Sequence, residues 1–418
     1  MQIDFEQAME LALQRNRELK LLKMEKRFAD LQVREAYSAA LPNLAALGSY
    51  GYNFIIPEMR NKFTMNGETV EFVMALEKVH NYYGQIELQQ PLWIAGKVGI
   101  GIKIAKIYRE IALLGVEQGE SDLKLSVTKA FYGALVAREF VDLMKDSQTQ
   151  LEKHFNNVKV MQQQGMVSEY DLIRAEVELA NFKPSVTEAE EAFKMAMEGL
   201  RIILGLEPGL EFEPVGTIDE AVPQEVEIEA AVQQALAVRA DFRQLGSQKQ
   251  MLSHLLLLEK RNQFWPNFFF SATLKRQAQE DDLDFDNYFW GDGLTAGLSV
   301  QIPLFDGFRT HSRIQQAKVS LKKSEILLEQ VSEGIRMEVK TAVWDLEKAL
   351  DKLQASRQAA SQADKGFAIA EVRYAEGLST QVELLDARLV KTQSRVNELL
   401  ALYDLVAAKA AFERARGK

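Results

Sequence analysis

The sequence predicts a mainly α-helical protein that carries a membrane β-barrel, built as two tandem repeats of helix, strand, strand and long helical hairpin. Three observations carry this. The chain matches itself at a constant offset of 212 positions: Pro91-Leu92 with Pro303-Leu304, Ala105-Lys106 with Ala317-Lys318, Val127 with Val339, and Gly165, Leu172 and Ala175 with Gly377, Leu384 and Ala387. An offset held over that length marks an internal repeat. A helix-forming run from Arg309 to about Ala375 would reach on the order of 100 Å at the α-helical rise. Four segments, by contrast, switch to a period of two.

Composition bounds the class. Hydrophobic residues make up 47%, enough to exclude general disorder, while 26% charged residues and a mean hydropathy of -0.18 exclude a conventional helical membrane protein. No run of about eighteen uncharged apolar residues occurs, but a β-barrel escapes that test because its strands alternate in polarity. Met1-Gln2-Ile3-Asp4-Phe5 does not read as a secretory signal, so the chain stays in the cytoplasm or is given without its signal. The absence of cysteine excludes disulfides, zinc-thiolate sites and an acylated N-terminal cysteine in this form of the chain. A formal charge of -10 argues against nucleic acid as a partner, since phosphate binding needs a basic surface.

The first repeat spans residues 1–206. Phe5 to Ala40 places Ala8, Leu11, Ala12, Leu19, Leu22 and Leu31 at helical spacing and predicts one amphipathic helix. Pro42 ends it, because the residue before a proline is driven to extended backbone. A strand over about 43–54 follows, with Leu44, Ala46, Gly48, Tyr50 and Tyr52 on one face. Ile55 to His80 reads as an irregular loop holding a short hairpin at Asn66-Gly67. The second strand, about 81–92, sets Tyr82, Gly84, Ile86 and Leu88 against Tyr83, Gln85, Glu87 and Gln89. A helical hairpin over about 97–204 turns at Gly165; its outward seam includes Ile107, Ile111, Leu114, Phe131, Leu135, Leu151 and Val158 near heptad spacing. Gly99, Gly101, Gly115, Gly119 and Gly133 weaken that helix locally, and Pro184 kinks the return helix.

Residues 207–227, with Pro208, Pro214 and Pro223, form an inter-repeat linker. The second repeat, 228–418, opens as the first does: Trp265-Pro266-Asn267-Phe268 echoes Leu41-Pro42-Asn43-Leu44. Its strands lie at about 267–276 and 293–304, joined by an acidic loop that ends in Tyr288-Phe289-Trp290. In the last strand Leu294, Ala296, Leu298, Val300 and Ile302 face away from Thr295, Gly297, Ser299 and Gln301. Its helical hairpin covers about 309–416.

Two hairpins of a soluble sheet would account for the alternation but not for an opposite face that is small and polar in all four strands. Lipid-facing strands account for both, with Ile86, Leu88, Leu294, Leu298 and Val300 toward lipid and Trp93, Trp265 and Trp290 in aromatic girdles. Four strands cannot close alone, and lipid tolerates no open edge, so several chains must supply the rest. Twelve strands from a homotrimer would begin to leave room for solute, and the long helices would continue the wall as a helical barrel.

No catalytic constellation is visible. His80, His154, His254 and His311 are scattered without metal-ligand spacing; Gly96, Gly99 and Gly101 do not complete a dinucleotide fingerprint; and the loop methionines Met59, Met65 and Met74 read as incidental. Neither an enzyme nor a cofactor is expected. The rival from another class is a soluble coiled-coil scaffold capped by a small sheet, which would purify as a monomer without detergent.

The motif order resembles the TolC family of outer-membrane efflux proteins. The resemblance rests on Leu41-Pro42-Asn43-Leu44 and Trp265-Pro266-Asn267-Phe268 entering the strands, with Gln90-Pro91-Leu92-Trp93 and Ile302-Pro303-Leu304-Phe305-Asp306-Gly307 leaving them. It rests also on the turns Gln164-Gly165-Met166-Val167 and Tyr374-Ala375-Glu376-Gly377-Leu378, the latter followed by Glu383-Leu384-Leu385-Asp386-Ala387. It covers nearly the whole chain. It implies a trimeric channel-tunnel in the outer membrane of a Gram-negative bacterium, surrounded by lipid and reaching into the periplasm, where a periplasmic adaptor and an inner-membrane transporter dock, for efflux or type I secretion.

By position, the resemblance makes Glu383 and Asp386 the acidic pore constriction, three apart on one helix face. Tyr374 and Asp171 fall where the family links its entrance shut. Ser379 stands where its best-known members have arginine, which removes the ionic part of that latch. Gly165, Met166, Val167, Gly377 and Leu378 match the tips that meet the adaptor.

Overall fold

The computed structural model describes residues 1–65, 68–217 and 227–418. They divide into two compact units, one of Met1–Arg27, Glu110–Ser247 and Glu325–Lys418, the other of Phe28–Arg109 and Gln248–Ser324. Each draws on both halves of the sequence.

The second unit holds an antiparallel sheet of β2 (Asn43–Tyr52), β5 (His80–Ile94), β7 (Asn267–Glu280) and β8 (Gly291–Gln301), in that order. Its register aligns the four alternations. Ala46, Ile86, Leu274 and Leu294 form one cross-sheet row, and Leu44, Leu88, Ala272 and Ala296 the next. Between these rows, on the opposite face, run Ala45, Glu87, Thr273 and Thr295. A sheet whose side chains alternate in this way has one apolar and one mostly small or polar surface. The apolar one is uncovered: Leu294 and Leu298 are each 75% exposed. Aromatic side chains gather at both ends. Trp93 lies 6.0 Å from Trp265 and 5.9 Å from Phe268, while Tyr82 contacts Phe285, Tyr288 and Trp290 at the other end.

The segment between β2 and β5, expected to be an irregular loop holding a short hairpin, is largely a hairpin of β3 (Glu58–Met65) paired with β4 (Glu68–Ala75). The expected Asn66-Gly67 turn lies outside the described residues, as do linker residues 218–226. The register explains the ribbon: Met59 opposes Met74 and Phe63 opposes Val70 on one face, whereas Arg60, Lys62 and Glu71 occupy the other. Such cross-strand pairs stabilise a ribbon. β8 stops at Gln301 rather than near 304, because Pro303 has no N–H to continue the ladder.

The first unit is helical. The expected single amphipathic helix is two, α1 (Phe5–Arg15) and α2 (Arg17–Ser38), broken at Asn16. Asn16 is extended and buried; its amide donates to the Ile203 carbonyl, and its Oδ1 accepts from the Leu19 N–H at 3.0 Å. One side chain thereby satisfies helix-end groups that would otherwise be unpaired. Within α2, Leu31 lies about a third of a turn round from Leu19 and is exposed, while Leu19, Ala29 and Val33 are buried. Arg239 makes the corresponding break between α5 (Ile228–Val238) and α6 (Ala240–Arg261).

The long helices are α3 (Lys97–Gln163), α4 (Glu169–Leu204), α7 (Arg309–Ala375) and α8 (Gln381–Ala415). α3 and α7 each run for 67 residues. The glycines do not interrupt α3. One of them is required by packing: a Cβ at Gly119 would overlap the Leu22 side chain, so the bare backbone admits α2. α4 continues through Pro184. Val127 and Val339, 212 positions apart, are both fully buried, in separate clusters. A parallel pair, β1 (Gln2–Ile3) with β6 (Glu213–Pro214), ties the linker to the chain start, an association that sequence spacing does not reveal.

Candidate functional site at the hairpin tips

Two helical turns in the first unit carry most of the expected site residues. At the α3–α4 turn, Gly165 adopts φ +72°, and the Met166 N–H donates to the Met161 carbonyl at 2.8 Å. At the α7–α8 turn, Gly377 also has φ +72°, and the Leu378 N–H donates to the Arg373 carbonyl at 2.8 Å. Both are left-handed C-caps with the six-to-one bond that closes a helix end, a conformation that only glycine adopts at no steric cost. Met166 and Leu378 project into solvent at 69% and 63% exposure. Val167 is half-buried.

The next helices start with matching caps. Ser168 Oγ accepts from the Asp171 N–H at 3.2 Å, and the Asp171 carboxylate accepts from the Ser168 N–H at 3.1 Å. Thr380 Oγ1 accepts from the Glu383 N–H at 3.3 Å and donates to its carboxylate. Asp171 and Glu383 are thus equivalent third residues of their helices, where a carboxylate also meets the positive end of the helix dipole. Glu383 and Asp386 remain exposed on one side of α8.

Among the described residues no hydrogen bond joins Tyr374 to Asp171, whose carboxylate is engaged by Ser168. The two are near enough that burial, followed by the Asp171 charge, raises the Tyr374 pKa. The Tyr374 ring packs on His154, centroids 5.5 Å apart. Ser379 Oγ is buried with no hydrogen-bond partner among the described residues.

Sequence reasoning passed over Gln381 and Arg388 here and weighed His154 only as a metal ligand. Gln381, His154 and Arg388 are buried polar side chains beside a cavity of about 700 Å³ that His154 and Arg388 line together with Lys153, Glu371, Tyr374 and Lys391. Gln381 lies 3.2 Å from His154 across 227 sequence positions, a separation that no spacing rule connects. Among the described residues no cluster of metal-ligating side chains occurs.

Residues 231–418 match the outer membrane efflux protein family. That match covers the C-terminal part of the chain and is to the family its motif order resembles, the outer-membrane efflux proteins. The chain is 21% identical over 344 residues to the cobalt-zinc-cadmium resistance protein CzcC of Cupriavidus metallidurans, an overlap of 79% of this chain and 76% of that one. It is 24% identical over 318 residues to CyaE of Bordetella pertussis, where the overlap is 74% of this chain and 65%, just under two thirds, of CyaE. The fold matches the CmeC outer membrane channel of Campylobacter jejuni with a TM-score of 0.78 at 16% identity, over 99% of this chain and 85% of that one.

Proposed function

We propose that three copies pool β2, β5, β7 and β8 into a 12-stranded barrel in the outer membrane of a Gram-negative bacterium, and that their helices form a barrel through the periplasm. The chain is then the passive exit duct of a tripartite efflux pump or type I secretion system. A periplasmic adaptor docks at Gly165, Met166, Val167, Gly377 and Leu378, and an inner-membrane transporter supplies the cargo. One observation supports this above the others: a four-stranded sheet with its main apolar rows on one uncovered face and, among the described residues, both edges unpaired. Lipid accepts such a face and rejects such edges, so copies must close the ring. The deciding experiment is chemical cross-linking of detergent-purified protein. A ladder ending at three is expected, whereas a detergent-free monomer would refute the duct.

In that trimer Glu383 and Asp386 form two stacked rings of carboxylates at the periplasmic constriction. Rings of one sign favour counter-ions in a pore. Glu383→Gln with Asp386→Asn is therefore expected to lower cation preference, read as a reversal potential nearer zero in a salt gradient across a planar bilayer. The double change keeps the helix cap, because Gln serves as well as Glu at that position.

A further inference from the structure

One side chain hydrogen-bonds across the two hairpin tips, beside the Tyr374–His154 ring contact. Gln381, first residue of α8 and 6% exposed, donates from Nε2 to the Asp171 carbonyl of α4 at 3.3 Å and lies 3.2 Å from His154 Nε2 of α3. A carbonyl oxygen only accepts, so the amide NH₂ group must face Asp171, and the same group faces the ring. His154 Nε2 therefore carries a lone pair, and the neutral ring holds its proton on Nδ1.

We propose that Gln381 is the positioning residue that locks the α7–α8 tip to the α3–α4 tip, and that a proton on His154 releases it. The functional meaning of this lock rests on the duct reading above, where it takes the place of the arginine link that Ser379 cannot make.

The surroundings of the ring favour its neutral form. Lys153 on α3, Asp364, Glu371 and Tyr374 on α7, Arg388 and Lys391 on α8, and Asp171 on α4 are the charged and titratable groups around it. Asp364 is engaged by Arg395, and Asp171 by Ser168. Lys391 stands over the Phe367 ring. Arg388 is 6% exposed, and its Nε and Nη1 have no hydrogen-bond partner among the described residues. Burial, and then the Arg388 charge, hold the His154 pKa down to about 4. A second proton would turn an N–H toward the Gln381 NH₂ group and set two buried cations side by side.

The sign follows. A ring that regains its ordinary pKa when the tips part favours the locked arrangement fully above about 6.5, and progressively less as pH falls toward 4. Each pH unit shifts the balance roughly tenfold, so the open-to-locked ratio rises about a hundredfold across the window.

The cysteine-free chain permits unique spin labels at Met166→Cys and Leu378→Cys, one on each exposed tip. Their separation is expected to lengthen between pH 7 and pH 4 in the full-length protein. In a Gln381→Leu background it should already be long at pH 7. In a His154→Gln background, which keeps an acceptor but cannot take the proton, it should stay short throughout, which isolates the ring from the other titratable groups. An unchanged separation on acidification, a Gln381→Leu protein with the parent distance at pH 7, or a His154→Gln protein that still lengthens would each overturn the lock. Planar-bilayer conductance of the same preparations separates the two ideas: tips that part in acid while no preparation conducts would remove the duct and leave the lock.

Discussion

Arg239→Ala is expected to destabilise the protein by about 3 to 5 kcal/mol, read as a lowered midpoint in thermal or denaturant unfolding. The side chain is only 6% exposed. Its guanidinium bonds Asp241 at 2.6 Å, Glu338 at 2.8 Å and the Ala415 carbonyl at 3.1 Å, and so joins the α5–α6 break to α7 and to the end of α8. Truncation would leave the half-buried Asp241 carboxylate without its counter-charge. Glu338 would keep Arg414, which also reaches Asp122 at 2.9 Å. By contrast, Lys352 and Asp404 approach to 2.7 Å with side chains 49% and 45% exposed, and breaking that pair should change stability by less than about 1 kcal/mol. The Arg239 pair also sets an acid limit. Burial pushes the Asp241 carboxyl up, but the hydrogen bonds and charge of Arg239 outweigh it and hold the pKa below the usual carboxylate range. That contribution is present above the ordinary carboxylate pKa and is lost only as pH falls through the lower folded value. The Arg239→Ala protein should lack this part of the acid transition.

Leu298→Arg should cost about 2 to 4 kcal/mol if the strand meets the bilayer midplane, measured by denaturant titration of protein folded into lipid vesicles. Leu298 pairs with Phe270 and lies on the apolar face with Val300 and Leu294. Thr295→Arg is the internal control. Thr295 pairs with Thr273 on the opposite, small-polar face, so an arginine there should fold with little penalty. Equal losses at both positions would remove the lipid-facing assignment.

The sheet was legible because a period of two survives in each strand and because proline marks the ends. The register then only had to bring four faces already of one kind into line. The long helices were legible for the same reason at heptad spacing. What was missed depended on single buried polar atoms. Asn16 ends one helix and starts the next with the same side chain, and its neighbours still spell an amphipathic helix straight through. The short hairpin between β2 and β5 was expected from Asn66-Gly67, but its extent was not, because apolar and polar residues pair irregularly over its eight positions. Glu383 and Asp386 were visible only through resemblance, since exposed carboxylates three apart occur on most helices. The Gln381–His154 contact joins helices from different halves of the chain and leaves no trace in local spacing.

The strands alternate direction along the order β2-β5-β7-β8, so the two outer strands of the sheet run opposite ways. Identical copies set side by side therefore meet in antiparallel fashion at each junction, and the proposed ring contains no mismatched seam whatever its number of members. A lone copy, however, would leave the backbone donors and acceptors along two strand margins without partners in hydrocarbon. Insertion and association then become one event, and the measured stability of this protein should rise with its concentration in the membrane.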